Sequence, residues 1–180
     1  MQNDQTWVIE FQQSTQKEGP FTQLLKRHQQ RVYYQIKRML NNHMDADDVA
    51  QKVWIKVWNK LDGFKMESEF STWLFRIAYN ETLNFIQKQQ KETDFNQTAE
   101  KIDYEDAATG SDHPKSTQIQ IALDHAVKQL PEKQRFVFML RYFEALNYEK
   151  IAAITGTTVG GAKANYHQAI KKMEQILKQD

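Results

Sequence analysis

The feature that most limits how this chain can fold is an interruption. Residues 92–117 hold 7 acidic and 2 basic side chains, few large apolar residues, and both Gly110 and Pro114. Such a stretch cannot bury enough apolar surface to offset the entropy of ordering it, and it reads as an acidic tether. The flanking segments must therefore fold as separate units. Residues 1–91 carry 13 basic and 10 acidic side chains, net +3, and residues 118–180 carry 9 and 6, also net +3. The domain reading is 1–92, a linker at 93–117, and 118–180. The chain's formal charge of +1 hides this alternation.

Both blocks read as helical, so the expected fold class is all-α, two small helical domains. With only 6 Gly and 3 Pro in 180 residues, long helices are favoured over many tight turns. In the first block, residues 6–16 form a short amphipathic stretch that Gly19 and Pro20 should stop. A long helix over about 21–40 is predicted from Phe21, Leu24, Leu25, Val32, Ile36, Met39 and Leu40. Asp45 can cap the next helix, which carries Val49, Val53, Trp54, Val57 and Trp58 and ends at Asp62-Gly63. Ser71 can cap a fourth, fading near Lys91. In the second block, helices are expected over 116–129, after Pro131, from Asn147, and from a Thr158 cap to about Leu177.

Catalytic signals are missing. There is no cysteine, which excludes disulfides, thiolate metal sites and cysteine nucleophiles. His28, His43, His113, His125 and His167 share no metal-ligand spacing and are expected at the surface. Asp45, Asp47 and Asp48 lack the spacing of a calcium loop. Residues 156–163 lack the Gly-Lys-Ser/Thr order of a phosphate loop. No apolar run approaches the ~20 residues of a membrane helix, and no secretory signal opens the chain. No metal, cofactor or enzymatic role is expected, and a cytoplasmic location fits.

The strongest local signal lies at 147–172. A short helix with an inward Ile/Ala face, a tight turn at Thr155-Gly156-Thr157 and a second helix from Thr158 have helix–turn–helix spacing. In such units the start of the second helix meets base edges in the major groove. Gly160, Gly161, Ala162 and Ala164 would let its backbone approach closely, with Lys163, Asn165 and His167 for polar reach. A plain helical hairpin is the competing reading of this segment alone.

Here a family resemblance enters. Residues 130–143 (LPEKQRFVFMLRYF), 148–152 (YEKIA) and 159–163 (VGGAK) resemble region 4 of the extracytoplasmic-function (ECF) sigma factors of the sigma-70 family. Residues 45–64 (DADDVAQKVWIKVWNKLDGF) resemble region 2.2, and 70–80 (FSTWLFRIAYN) regions 2.3 and 2.4. The likeness covers 20–92 and 116–178, in the family's order.

It implies a sigma factor without regions 1.1 and 3. Its partners would be core RNA polymerase, through the β′ clamp helices and β flap, promoter DNA, and in many relatives an anti-sigma factor. By position, Asp47, Asp48, Gln51 and Trp54 would face the polymerase, with at least one of Trp54 and Trp58 in the core. The −10 element would fall to Lys65, Phe70, Trp73, Arg76, Asn80, Asn84 and Lys88, with residues 65–69 as the specificity loop. Phe70 and Trp73 either offer aromatic surface to an unstacked base or pack inward. The −35 element would fall to Thr158, Val159, Gly160, Lys163, Ala164, Asn165 and His167; Arg135 and Arg141 would steer DNA or form internal pairs. The acidic tether would mimic nucleic acid in the RNA exit path. Asn165 and Gln168 stand where the family often has arginine, and Lys52 where an acid is usual. Alternatives are a stand-alone helix–turn–helix regulator, or a sigma-like decoy that docks on polymerase without initiating.

Overall fold

The computed structural model describes residues 3–40, 42–95 and 118–178. Residues 96–117 of the tether, His113 among them, lie outside them. Among the described residues there are eight α-helices, one 3-10 turn and no strand: α1 (Asp4–Gln13), α2 (Glu18–Met39), α3 (His43–Lys60), the turn Leu61–Gly63, α4 (Phe70–Phe95), α5 (Gln118–Lys128), α6 (Glu132–Tyr142), α7 (Tyr148–Thr155) and α8 (Val159–Leu177). The chain divides into two compact units, Met1–Lys88 and Gln89–Asp180.

In the first unit, Asn3 caps α1 by accepting a hydrogen bond from the Thr6 amide at 2.9 Å. Gly19-Pro20 does not stop the preceding segment as expected. That helix already ends at Ser14, and both residues lie in the first turn of α2. Proline is accepted there because a first-turn amide has no intrahelical acceptor to lose. The cap of α3 is Asn42, not Asp45: its side chain accepts from the Met44 amide at 2.9 Å, and Asp45 falls in the first turn, facing the helix dipole. Ser71 is likewise inside α4 rather than at its cap, and α4 continues past Lys91 to Phe95.

The core of this unit follows the 3.6 period. Leu24, Val32 and Ile36 of α2, Val49, Val53 and Val57 of α3, and Leu74 and Phe75 of α4 are almost wholly buried. Each such side chain contributes roughly 1.5–3 kcal/mol through burial. Phe21 sits at an aromatic junction, edge-on to Trp58 at 4.9 Å and to Trp54 at 6.0 Å. Both tryptophans are thus half-buried against α2, so neither is fully in the core, where at least one was expected. His28, expected at the surface, is 3 % exposed, and its Nε2 lies 2.9 Å from Asp4 Oδ2. An ionised carboxylate only accepts, so Nε2 carries a proton and donates to it.

In the second unit, α6 buries five consecutive residues, Phe136 to Leu140, the mark of a helix surrounded on all sides. Ile151 and Ile154 of α7 and Ala162, Ala169 and Met173 of α8 complete the core. Arg135 and Arg141 are spent internally. Arg135 donates to the carbonyl oxygens of Leu130, at 3.1 and 3.3 Å, and of Lys128, closing the end of α5. Burial lowers its pKa, partly opposed by Glu132. Arg141 donates to the Leu146 carbonyl at 2.8 Å and fixes the approach to α7.

Candidate nucleic-acid and polymerase interfaces

The turn between α7 and α8 is built by local chemistry. Asn147 caps α7 by accepting from the Lys150 amide at 2.9 Å. Gly156 ends it at φ +69°, a left-handed conformation that suits glycine, and the Thr157 amide donates back to the Ala152 carbonyl at 3.2 Å. Thr158 then caps α8, accepting from the Gly161 amide at 3.0 Å. A Cβ at Gly161 would stand 2.6 Å from Thr157 Oγ1, so any larger residue here would force that hydroxyl to move. Of the four small residues, Gly161 thus sits against the turn and Ala162 is fully buried, not a DNA-facing position, while Gly160 and Ala164 are exposed.

Thr158, Gly160, Lys163, Ala164 and His167 are exposed on the first turns of α8, and Val159 is half-buried. Asn165 is half-buried and donates to the Gly161 carbonyl at 2.9 Å. Gln168 accepts from Gln134 of α6 at 2.9 Å. The two positions where arginine is common therefore make internal hydrogen bonds. Tyr148 is flanked by Arg141 at 5.1 Å and Lys163 at 5.8 Å from its ring. The sequence reading missed this aromatic seat for two cations; its clue was a tyrosine just after a helix cap, opposite Lys163 across the turn.

On α4, Arg76, Asn80, Asn84 and Lys88 are all exposed at four-residue steps and form one gently winding strip. At the head of that helix, Trp73 is half-buried and tilted onto Phe64 at 4.8 Å. Phe70 is not an aromatic surface: it is 4 % exposed and packs against His28 at 5.4 Å and Phe64 at 6.2 Å. Lys65 is exposed in the loop before α4, beside Glu67 and Glu69, so cationic reach here comes mainly from the helix strip.

On α3, Asp47, Asp48 and Gln51 are exposed, and Trp54 flanks them half-buried. Met44 and Ile55, 75 % and 55 % exposed, lie on the same face as Asp48 and Gln51, at steps of four, three and four. Neither was singled out from sequence, although an isoleucine out of phase with Val49, Val53 and Val57 was a readable sign. An acidic patch with apolar residues at its ends suits docking better than solvation. Lys52 turns away from it, toward the Phe85 ring at 5.8 Å.

These features define a class: a two-unit helical protein, one unit with a helix–turn–helix and the other with an exposed acidic–apolar face. Comparison with known proteins specifies it. Residues 24–92 match the Sigma-70 region 2 family and residues 120–173 match Sigma-70, region 4. The ECF RNA polymerase sigma-E factor of Escherichia coli K12 is 30 % identical, covering 92 % of this chain and 90 % of its own. The ECF RNA polymerase sigma factor SigW of Bacillus subtilis is 29 % identical over 88 % of this chain and 89 % of its own. Among solved structures, the sigma factor RpoE in complex with the anti-sigma factor NepR, from Bartonella quintana, superposes with a TM-score of 0.77 at 27 % identity, covering 89 % of this chain and 98 % of that one. CnrH in complex with the cytosolic domain of CnrY shares the fold, with a TM-score of 0.71 at 20 % identity, covering 98 % of each chain. The chain belongs to the ECF subfamily of the sigma-70 RNA polymerase sigma factors.

Proposed function

We propose that this chain directs core RNA polymerase to its promoters by dividing the work among three surfaces. The α3 face of Asp47, Asp48, Gln51 and Ile55 docks on the polymerase clamp, with Trp54 holding its edge against Phe21. The loop after Phe64, with Trp73 and the Arg76–Asn80–Asn84–Lys88 strip, captures the opened −10 element. The first turns of α8, through Thr158, Val159, Gly160, Lys163, Ala164, Asn165 and His167, contact the −35 element, with its N-terminal amides on a phosphate. Residues 1–92 act as region 2, 118–180 as region 4, and 93–117 as the tether.

Each DNA contact alone can be weak, because a tether converts the second binding event into an intramolecular one. The low overall charge fits that division, with polymerase contributing much of the attraction to DNA. The chain itself carries out no bond chemistry; nucleotide transfer belongs to the polymerase, in the cytoplasm. An anti-sigma factor is a further partner class, supported by the likeness to RpoE bound to NepR.

The observation that carries this reading is the joint presence, in one chain, of region 2 with an exposed acidic–apolar face and region 4 with a closed helix–turn–helix. Its test is permanganate footprinting of promoter DNA with core polymerase. The full chain should open the −10 region, and Arg76→Ala should lower opening about tenfold while core binding holds. Core binding without any opening by the unsubstituted chain would favour the decoy reading.

A further inference from the structure

Helix α1 lies outside the segment that matches region 2, which begins at residue 24. It is nevertheless tied to both ends of the loop between Phe64 and Phe70. At one end, the Gln12 side-chain amide donates to the carbonyl oxygens of Leu61 and Phe64, each at 2.9 Å. Lys17, just beyond α1, pairs with Asp62 at 2.6 Å on the outer edge of the same turn. At the other end, Asp4 holds the buried His28 at 2.9 Å, and the His28 ring packs on Phe70. Arg27 clamps this corner, donating to Asp4 at 2.9 Å while lying 4.1 Å over the Trp7 ring. Phe64 and Phe70 in turn flank Trp73, at 4.8 and 5.9 Å.

The loop is held in a conformation it would not choose alone. Met66 sits at φ +56°, in the left-handed region that a side chain disfavours. Such a residue persists when its surroundings over-determine it. A glutamine on one side and a part-buried Asp–His pair on the other provide that constraint.

We propose that α1 is a positioning element for −10 recognition: Gln12 and Asp4 fix the two ends of the Phe64–Phe70 loop and so set which −10 base it accepts. Gln12 acts through the backbone of Phe64, and Asp4 through His28 and Phe70; neither touches DNA. The proposal rests on the reading of residues 65–69 as the −10 loop.

The test uses the full chain with core polymerase and a template pool in which the −10 hexamer of a promoter selected by the unsubstituted chain is randomised. Gln12→Met keeps the side-chain length and removes the donor. It should flatten the −10 preference at the most selective position by about tenfold, the scale at which a single base contact discriminates. Core affinity and melting temperature should stay close to those of the unsubstituted chain, and Gln12→Lys, which restores a donor, should recover the preference. If the methionine variant does not fold, Gln12→Glu against Gln12→Lys gives the same contrast of donor and no donor. A −10 preference unchanged by donor removal overturns this proposal alone. An unsubstituted chain with no −10 preference overturns both it and the loop reading beneath it.

Discussion

Asn165 donates its side-chain amide to the carbonyl oxygen of Gly161, 2.9 Å away and one turn back in α8. The bond turns toward its own helix a side chain on the proposed −35 surface, and it brings no charge to the phosphates. Asn165→Arg should supply that charge. Holoenzyme binding to promoter DNA, followed against salt concentration, should show the slope of log affinity steepening by about one and affinity rising several-fold at low salt. An unchanged slope would mean that position 165 does not reach the duplex.

The proposed polymerase-docking face rests on Ile55 and Asp48 sharing one side of α3. Ile55→Asp should weaken core polymerase binding by about 30-fold, the cost of losing a hot-spot residue of ~2 kcal/mol. Helix content should stay the same, because Ile55 is 55 % exposed and packs no core. Co-elution and titration with core polymerase check this. Wild-type affinity in the variant would remove Ile55 from the interface.

Asp4 gives the first unit a specific acid sensitivity. Burial alone would raise its carboxyl pKa, but hydrogen bonds and charge from His28 and Arg27 outweigh it and leave the value below the ordinary 3.8. A lowered folded pKa means stability that is present above the unfolded value and lost as pH falls through the folded one. Asp4→Ala should therefore lower the melting temperature at pH 7 by a few degrees, matching about 1 kcal/mol for a part-buried pair. The gap to the unsubstituted chain should close as pH drops below about 4. A gap constant down to the lowest accessible pH would contradict the role given to the carboxylate.

What the sequence disclosed was mostly local. The Thr158 cap and the Gly156 turn are each decided by neighbours within four residues, and both were legible; the helix start at Asn147 was legible too, though not that Asn147 is its cap. Other local signals were degenerate. Gly19-Pro20 suits a helix's first turn as well as a helix's end, and both Asn42 and Asp45 are good cap residues three positions apart. Phe70 was ambiguous for a different reason: aromatic periodicity does not distinguish a ring on the surface from one seated on a buried histidine. The α1 contacts were not legible at all. Gln12 bonds main-chain carbonyls about fifty residues away, and no pattern of residue types encodes a carbonyl.

Gln35 carries a separate prediction about the core. It is 4 % exposed on α2, and neither its amide nitrogen nor its oxygen has a hydrogen-bond partner among the described residues. A buried unsatisfied amide costs roughly 1–3 kcal/mol. Gln35→Met, similar in length and apolar, should stabilise the chain by about 1 kcal/mol in denaturant unfolding. Destabilisation instead would show that the amide is satisfied by a buried water that the methionine displaces.

The central claim is that this chain gives core RNA polymerase a promoter preference. Run-off transcription from a pool of genomic fragments, with core polymerase and with or without the chain, tests it most directly. The account predicts discrete start sites that appear only with the chain and share two elements at a fixed spacing, upstream near −35 and −10. Transcription that is unchanged by the chain, or start sites that share no such pair, would contradict it.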